Sequence, residues 1–337
     1  MGLKDFNYFF FCMTDETCSK CGEPAVIHRE YEGRALCKEH FSIDINKKIK
    51  KTIREGNLVE SGDTIAVGLS GGKDSAVMLE QLVEIFGERP DIEIIGVSVH
   101  EGIDPYRDES ISAAEELCDE LGVELKLGKY DDYYDLKMDD VADAGAKGNC
   151  TYCGIMRRDL LNKLCREVDA DKMAIGHNLD DEAQAIMMNH IKGDMKRMAR
   201  IGPKKDPSDH EKFTQRIKPL RDVREKEVAL YSRIHDLGVI DRCPHVQEGS
   251  MRPMVKSFLN KLESEMPGVK NQIVSHGREI SDMVEDEIDY KSDENQIQEC
   301  EKCGEPCSSD ICRKCQLLDE IKIAADKSED HNFSVEE

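Results

Sequence analysis

A glycine-rich turn with one lysine has the clearest chemical meaning in this chain. Its residues are Ser70, Gly71, Gly72, Lys73, Asp74 and Ser75. The turn follows an apolar stretch at 64–69 and precedes a helical pattern at 74–86. Backbone N–H groups at a helix start have no partner inside the helix and carry the positive end of its dipole. Adjacent glycines let an anion approach closely, and Lys73 adds a full charge. The turn therefore predicts a phosphate-binding site.

The turn is similar to the PP-loop of ATP pyrophosphatases, which cleave ATP between its α and β phosphates and adenylate a substrate oxygen. It is not the longer G-x-x-x-x-G-K-[ST] loop of other nucleotide hydrolases, because its glycines are adjacent and an aspartate follows the lysine. An ordinary tight turn is the alternative interpretation. The agreement of these residues with their strand–turn–helix context favours the phosphate site.

Two groups of residues near the ends of the chain have the spacing of zinc ligands. They are Cys18, Cys21, Cys37 and His40, and Cys300, Cys303, Cys312 and Cys315. A C-x-x-C turn places two sulfur atoms on one ion, and two such turns complete a tetrahedral shell. Four ligands leave no open position, so both sites are predicted to be structural. Metal binding would supply much of the stability of such small modules. Cys307 is surplus to the second group.

Three other cysteines, Cys150, Cys153 and Cys243, form a candidate metal or redox centre. Cys150 and Cys153 precede a helix that carries Arg157, and both a helix start and a guanidinium group lower a thiol pKa. Their spacing leaves three interpretations open. These are a [4Fe–4S] cluster with one iron lacking a protein ligand, a thiol trio that forms a persulfide, and a third zinc site completed by a residue such as His245.

Strand and helix patterns alternate through 61–250. Strands are predicted at 64–69, 92–99, 123–128, 172–176 and near 215–219, and helices at 74–86, 108–121, 151–168, 180–191 and 222–236. Alternation of this kind indicates parallel strands covered by helices, with the phosphate loop at the carboxyl edge of the sheet. Together with the PP-loop similarity it predicts an α/β fold, a parallel-sheet ATP pyrophosphatase domain of the adenine nucleotide alpha hydrolase-like type.

Composition divides the chain into five predicted segments. They are a zinc ribbon at 1–41, a basic helical connector at 42–60, the catalytic domain at 61–290 with a helical end at 251–290, a second zinc ribbon at 291–318, and an acidic, disordered tail at 319–337. We expect a cytoplasmic protein, because we find neither a signal peptide nor an apolar run near the roughly 20 residues that cross a bilayer.

The formal net charge is −23, so an RNA partner would need a local basic surface. Two basic segments are candidates. The first contains Lys47, Lys48, Lys50, Lys51 and Arg54, and the second contains Lys192, Lys196, Arg197, Arg200, Lys204 and Lys205. A solvated charged face is the alternative for each.

These motifs together resemble the TtuA branch of the TtuA/TtcA family. Its members are tRNA 2-thiouridine synthetases of archaea and some bacteria, similar to the eukaryotic cytosolic tRNA wobble-uridine thiolation subunit. The resemblance rests on Ser70–Ser75, Cys150-x-x-Cys153, the run Gly176-His177-Asn178-Leu179-Asp180-Asp181-Glu182-Ala183, Cys243-Pro244, and the zinc knuckles at both ends. It covers the chain from Cys18 to Cys315.

The resemblance implies a [4Fe–4S] cluster on Cys150, Cys153 and Cys243, together with ATP, Mg²⁺, a tRNA substrate and a homodimer. It places the following residues around ATP: Ser70, Gly71, Gly72, Lys73, Asp74, Ser75, Ser98, His100, Arg157, Gly176 and Asp181. Lys73 would stabilise charge on the departing pyrophosphate. Asp181 would hold a metal ion or orient the substrate, although charge at a helix start is the alternative for Asp180 and Asp181.

The implied reaction is adenylation of uridine O2 followed by sulfur transfer, either at the cluster or from a cysteine persulfide. The wobble uridine is favoured over the T-loop uridine. The sulfur donor stays open between a ubiquitin-like thiocarboxylate protein, a cysteine desulfurase and sulfide. Two other functions are considered. A PP-loop amide or lysidine-type ligase would not need the three cysteines, and a non-catalytic RNA-binding iron–sulfur protein would not need Lys73 and Asp74.

Overall fold

The structure is a computed structural model that describes residues 16–143, 149–199, 201–202, 210–238, 243, 251–287 and 297–321. Its strands are β1 (Ile27–Arg29), β2 (Arg34–Leu36), β3 (Thr64–Leu69), β4 (Glu93–His100), β5 (Glu124–Lys129), β6 (Lys172–Ala174), β7 (Gln215–Ile217), β8 (Gln298–Glu299) and β9 (Pro306–Cys307). Its helices are α1 (Lys38–Glu55), α2 (Lys73–Phe86), α3 (Tyr106–Leu121), α4 (Tyr130–Tyr134), α5 (Met138–Asp143), α6 (Asn149–Glu167), α7 (Leu179–Lys192), α8 (Met195–Met198), α9 (Glu225–Ile234), α10 (Met251–Glu265) and α11 (Val269–Glu287).

Strands β3 to β7 form one parallel sheet with the order β5-β4-β3-β6-β7. β3 is central and mostly buried, which explains its continuous apolar run. In the register, Leu69 lies opposite Ser98 of β4, and Val67 lies opposite Ala174 of β6. The predicted α/β fold is confirmed. β6 ends at Ala174, earlier than predicted, because the next N–H, of Ile175, bonds to β7 and the chain then turns.

Helices cover the sheet and enclose two apolar clusters. One cluster joins β3 to α1, α2 and α9, and the other joins β4 to α6. The helix predicted within 42–60 begins earlier, at Lys38, where the Cys37 sulfur accepts the His40 N–H. Its apolar residues recur at helical spacing and are buried: Phe41, Ile45, Ile49 and Ile53. This helix therefore contributes to the core.

Small antiparallel hairpins lie at both ends of the described chain, β1–β2 and β8–β9. Residues 251–287 form the two helices α10 and α11, because Pro267 and Gly268, with φ of +100°, interrupt the predicted helical region. Most of the predicted acidic tail lies outside the described residues. Within the described ranges, no helix is both long enough and apolar enough to cross a membrane.

Candidate functional site

The phosphate-binding turn lies where the strand order of the sheet reverses. From β3 the chain proceeds to β4 and β5 on one side and later returns to β6 and β7 on the other side. Loops that leave the carboxyl ends of two such neighbouring strands diverge and open a crevice. The loops after β3 and β6 therefore border the candidate site.

The turn after β3 is held by its own serines. The Ser75 hydroxyl donates to the Gly72 carbonyl oxygen (2.9 Å), and the Ser70 N–H donates to the same hydroxyl oxygen (3.2 Å). Gly71 has φ of +76°, and a Cβ there would lie 2.7 Å from the Ser110 carbonyl oxygen. Only glycine fits without a backbone shift, so the N–H groups at the start of α2 stay open to the crevice.

The loop after β6 approaches the same helix start. A Cβ at Gly176 would lie 3.1 Å from the carbonyl carbon of Asp74, so a glycine lets the two loops meet. The Asn178 amide donates to Asp74 Oδ1 (2.9 Å). The Asn178 side-chain oxygen accepts the N–H groups of Asp180 and Asp181 and thereby caps α7. One asparagine thus joins the starts of α2 and α7.

Lys73 begins α2 and lies between two carboxylates. Its Nζ is 2.7 Å from Asp74 Oδ2 and 3.5 Å from Glu225 Oε1. Partial desolvation alone would lower the pKa of Lys73, but the two carboxylates outweigh it and raise the pKa above its usual value. The ammonium group is therefore charged at neutral pH, and Glu225 at the start of α9 orients it.

A cavity of about 350 Å³ opens beside the turn. Of the residues predicted to surround ATP, those that line it are Ser70, Asp74, Ser75, Arg157, Gly176 and Asp181. We call it the nucleotide cavity. Its size lies within the range of small-molecule sites, about 300–1,000 Å³.

Ser98 and His100 do not line the nucleotide cavity. Ser98 is fully buried, and its hydroxyl donates to the Leu69 carbonyl oxygen (2.7 Å). His100 Nδ1 accepts the Gly102 N–H (3.1 Å), so its Nε2 carries the proton that it shares with Asp108 (3.0 Å). Both side chains have protein partners and hold the end of β4, and their place near the adenosine stays a prediction.

Sequence reasoning did not select three residues that line this cavity: Glu101, Arg107 and His177. Arg107 donates to the Ser70 carbonyl oxygen (3.1 Å) and pairs with Glu101 (2.5 Å). Glu101 also pairs with Arg157 (3.2 Å). The position of Glu101 directly after β4 was a usable signal. Arg107 comes from α3, and only the packing of that helix places it at the turn.

The adjacent aspartates at the start of α7 have different surroundings. Asp180 is buried, forms an ion pair with Lys270 and accepts the Glu225 N–H (2.8 Å). Asp181 lines the nucleotide cavity, and Arg252 lies 3.0 Å from its Oδ1. Partial desolvation raises the pKa of Asp181 above its usual value. Asp181 Oδ2 also accepts the Asn178 N–H (3.3 Å) and completes the capping box of α7, so both aspartates have structural contacts and only Asp181 faces the nucleotide cavity.

Arg157 connects the nucleotide cavity to the central cysteines. It lines the cavity, and its Nη2 donates to Cys153 Sγ (3.3 Å). Burial raises the pKa of Cys153, and Arg157 opposes this only in part. The lowered thiol pKa predicted from the helix start is therefore wrong for Cys153. Cys243 packs against the apolar cluster that contains Cys153, and Cys150 is exposed.

Among the described residues, the Sγ atoms of Cys150, Cys153 and Cys243 do not all lie within 4.8 Å of one another. A single zinc ion draws its ligands closer together than a four-iron cluster does, because the cluster fills the space between its thiolates. Within the described part of the chain, none of the three cysteines forms a disulfide bond. Three cysteine thiols are the kind of donor set that holds a [4Fe–4S] cluster. His245 lies outside the described residues.

The two end groups of predicted zinc ligands do converge. In each group the four ligand atoms lie within 4.8 Å of one another. Although desolvation acts in the opposite direction, backbone N–H groups lower the pKa of Cys18 to about 6 and the pKa of Cys300 to about 6. Although a backbone N–H lowers the pKa of Cys21, desolvation and the neighbouring cysteine sulfurs of its group raise it, and they also raise the pKa values of Cys312 and Cys315. Four ligand atoms held this closely suit a tetrahedral cation such as Zn²⁺, which would stabilise the thiolate form. The surplus Cys307 instead donates to the Ser309 carbonyl oxygen (2.8 Å).

The predicted basic surfaces are only partly available. Lys48 donates to the Tyr31 hydroxyl (3.1 Å) and pairs with Glu227 (3.2 Å), so it holds the N-terminal hairpin. Lys47, Lys51, Lys192 and Arg197 are exposed. Arg200, Lys204, Lys205 and the side chain of Lys196 lie outside the part that the structure describes.

The turn, the sheet and the end groups define a protein class. Residues 41–261 match the family model of the PP-loop domain, and residues 17–42 match that of the N-terminal LIM domain of the 2-thiouridine synthetase TtuA. A tRNA 2-thiolation protein, NcsA, of Haloferax volcanii is 40% identical over 320 residues, which are 90% of this chain and 99% of that protein.

Two more distant relatives agree. Cytoplasmic tRNA 2-thiolation protein 1 of Danio rerio is 32% identical over 306 residues, 90% of this chain and 87% of that protein. The solved structure of the U34-tRNA thiolase NcsA from Methanococcus maripaludis, with its [4Fe-4S] cluster, superimposes with a TM-score of 0.77 at 35% identity. It covers 91% of this chain and 97% of that chain. This chain belongs to the PP-loop family of tRNA 2-thiolation proteins.

Proposed function

We propose that this protein is an ATP-dependent tRNA sulfurtransferase that replaces O2 of a uridine by sulfur, with the wobble uridine as the favoured target. One observation carries the proposal. Arg157 lines the nucleotide cavity and contacts Cys153 at 3.3 Å, so a nucleotide site and a thiol centre are one side chain apart. The thiolase of M. maripaludis, named for uridine 34, supports the wobble position over the T-loop.

ATP would place its phosphates at the turn 70–75, where the start of α2 and Lys73 carry positive charge. Oxide is a poor leaving group. Once uridine O2 is adenylated, the oxygen leaves as part of AMP, which is a much better leaving group. Lys73 and the backbone N–H groups would stabilise the charge on the departing pyrophosphate. Asp181 is the carboxylate that would hold Mg²⁺ in the cavity. Arg107 would keep the turn in place through the Ser70 carbonyl oxygen.

Cys150, Cys153 and Cys243 would hold a [4Fe–4S] cluster, which when bound offers one iron without a protein ligand for the sulfur atom to be transferred. Arg157 would keep a positive charge between this centre and the phosphates, and Glu101 would fix its direction (3.2 Å). The end groups would each hold a structural Zn²⁺. A homodimer, a cytoplasmic location and a sulfur donor of the thiocarboxylate, desulfurase or sulfide type complete the proposal.

The test uses full-length protein purified without oxygen, with iron and sulfide measured. It is mixed with tRNA, ATP and sulfide, and its nucleosides are analysed by mass spectrometry. We expect 2-thiouridine, AMP and pyrophosphate from the wild type. The Cys150→Ser, Cys153→Ser and Cys243→Ser variants should each lose bound iron and product. Cys307→Ser is the matched control and should keep both, since Cys307 is surplus to the metal groups.

Each alternative has its own result. A triple serine variant that still joins an amine to an activated carbonyl would establish the amide-type ligase instead. Full thiolation by a protein without iron would exclude the cluster. Persulfide chemistry would replace it if that protein used sulfane sulfur delivered by a cysteine desulfurase, because sulfide alone cannot form a persulfide without an oxidant. A wild type that binds tRNA but forms no AMP with every substrate present would indicate a non-catalytic RNA-binding protein.

A further inference from the structure

A second cavity, of about 380 Å³, lies between α6 and the C-terminal metal module at 297–321. Residues of α6, the segment around β7 and the module line it. Consecutive arginines of α6 therefore serve two cavities. Arg157 lines the nucleotide cavity, whereas Arg158 lines this second one. We call it the module cavity.

The module cavity is positively charged in a strongly acidic protein. Its charged lining residues are Arg158, Arg216, Arg313 and Lys314 on the one hand and Asp159 and Glu305 on the other. Both carboxylates also pair with cations outside the lining, Asp159 with Lys163 (3.1 Å) and Glu305 with Arg166 (2.7 Å). Asp159 also pairs with Lys314 (3.1 Å), and Arg313 pairs with Glu320 (3.0 Å), so Arg158 is the lining cation for which the described residues provide no ion pair.

Arg158 has no counter-charge of its own. Within the described ranges it forms no ion pair or hydrogen bond. Its Nη1 is turned toward the helix start and lies 4.0 Å from where a Cβ of Gly154, the residue after Cys153, would be. Desolvation and the charges of Arg216 and Arg157 lower the pKa of Arg158. The Arg158 side chain is exposed, so an anion can reach it at the module cavity without first breaking an ion pair.

An aromatic ring completes the lining. Phe213 is partly exposed at the module cavity, beside the same two arginines. Guanidinium groups bind phosphate oxygens in pairs, and an aromatic face stacks on an unpaired base. A nucleotide offers both groups at a suitable separation, whereas a peptide carboxylate would leave the ring without a partner. The lining thus favours single-stranded RNA.

We propose that the module cavity binds a nucleotide of the RNA substrate, with its phosphate on Arg158 and Arg216 and its base against Phe213. The inference rests on the proposed function, from which it takes the RNA. A strand seated there runs beside α6, whose first turn carries Cys150 and Cys153. The C-terminal metal module then forms one wall of the RNA site.

The experiment measures tRNA affinity of the full-length holoprotein at several salt concentrations. Arg158→Gln with Arg216→Gln should weaken binding about tenfold and flatten the salt dependence, since each lost phosphate contact lowers the slope by roughly 0.7–0.9. Phe213→Ala should weaken binding by a similar factor. Arg89→Gln is the matched control, because Arg89 pairs with Asp91 and does not line the module cavity.

Folding is monitored separately. Arg158→Gln removes a charge from among like charges, so its melting temperature should equal or exceed that of the wild type while its tRNA affinity falls. If Arg158 only stabilised the fold, its replacement would lower the melting temperature and the tRNA affinity together. ATP affinity should be unchanged.

Three results would overturn the inference. If the double variant keeps the affinity and salt slope of Arg89→Gln, the cavity does not bind RNA. If tRNA binding is normal but sulfur transfer falls, the cavity belongs to the sulfur donor. If the wild type binds no tRNA at any salt concentration, the proposed function fails together with the inference. Failure of the inference alone would leave the tRNA binding of the wild type intact.

Discussion

Single residues decide whether the two site loops can meet. Gly71 takes a left-handed conformation against α3, and Gly176 lies against the backbone of Asp74. In both places a side chain would occupy space that backbone atoms already fill. The requirement is steric as well as conformational, which separates these glycines from those that only end helices.

We predict that Gly71→Ala lowers ATP affinity at least tenfold, because its Cβ would lie 2.7 Å from the Ser110 carbonyl oxygen and would displace the turn. Gly122→Ala is the control. Gly122 also has a positive φ, +67°, but no atom lies within 4 Å of its Cβ position. Both variants should lose about 1 kcal/mol of unfolding free energy from left-handed strain. Titration calorimetry measures the ATP affinity of each variant. Equal affinities of Gly71→Ala and Gly122→Ala would contradict the prediction.

At the scale of elements, the N-terminal hairpin is joined to the helix that carries Glu225, the partner of Lys73. Arg29 of β1 pairs with Glu227 of α9 at 2.6 Å, and both are almost completely buried. The Tyr31 hydroxyl donates to Glu227 (2.8 Å), and the Arg224 guanidinium group lies 3.6 Å from the centre of the Tyr31 ring. Glu225, the partner of Lys73, begins the same helix. The ribbon is therefore part of the support of the site.

Replacing Glu227 by glutamine should cost about 1–3 kcal/mol of unfolding free energy, because it removes one charged partner of the buried Arg29 while Asp44 and Glu32 stay paired with it. The matched control is Glu55→Gln. The Lys51–Glu55 pair spans 3.9 Å with both side chains more than half exposed, and such a pair contributes less than about 1 kcal/mol. Urea denaturation of both variants measures the difference. Similar midpoints would show that the hairpin is not held by this pair.

At the scale of the whole molecule, the distribution of charge affects RNA binding and metal binding affects the stability of the C-terminal module. The chain carries a net charge of −23, so attraction for RNA must come from a few basic positions. The C-terminal module has a small apolar cluster in which three cysteines of its metal group are buried. A cation held by this group would therefore supply much of the stability of the module, and the shape of the module cavity would depend on it.

Cys303→Ser removes one ligand of this group without touching the lining of the module cavity. We expect bound zinc to fall from two ions to one per chain, and limited proteolysis to cut within 297–321. Affinity for tRNA should fall severalfold, while ATP affinity stays the same. Cys307→Ser, four residues further on, should keep both zinc ions. Unchanged zinc content in Cys303→Ser would exclude Cys303 as a ligand.

Features that depend on neighbouring residues could be predicted from the sequence. The central strand at 64–69, the phosphate turn and both groups of paired ligands are set by local backbone geometry and short spacing, and the structure contains each of them. Only tertiary structure decided which partner a side chain takes. It brought Arg107 to the turn, turned Lys48 inward onto Glu227, occupied the Ser98 hydroxyl and buried Cys153 so that its pKa rises. Long-range packing sets solvation and partners, and neither is encoded in the spacing of nearby residues.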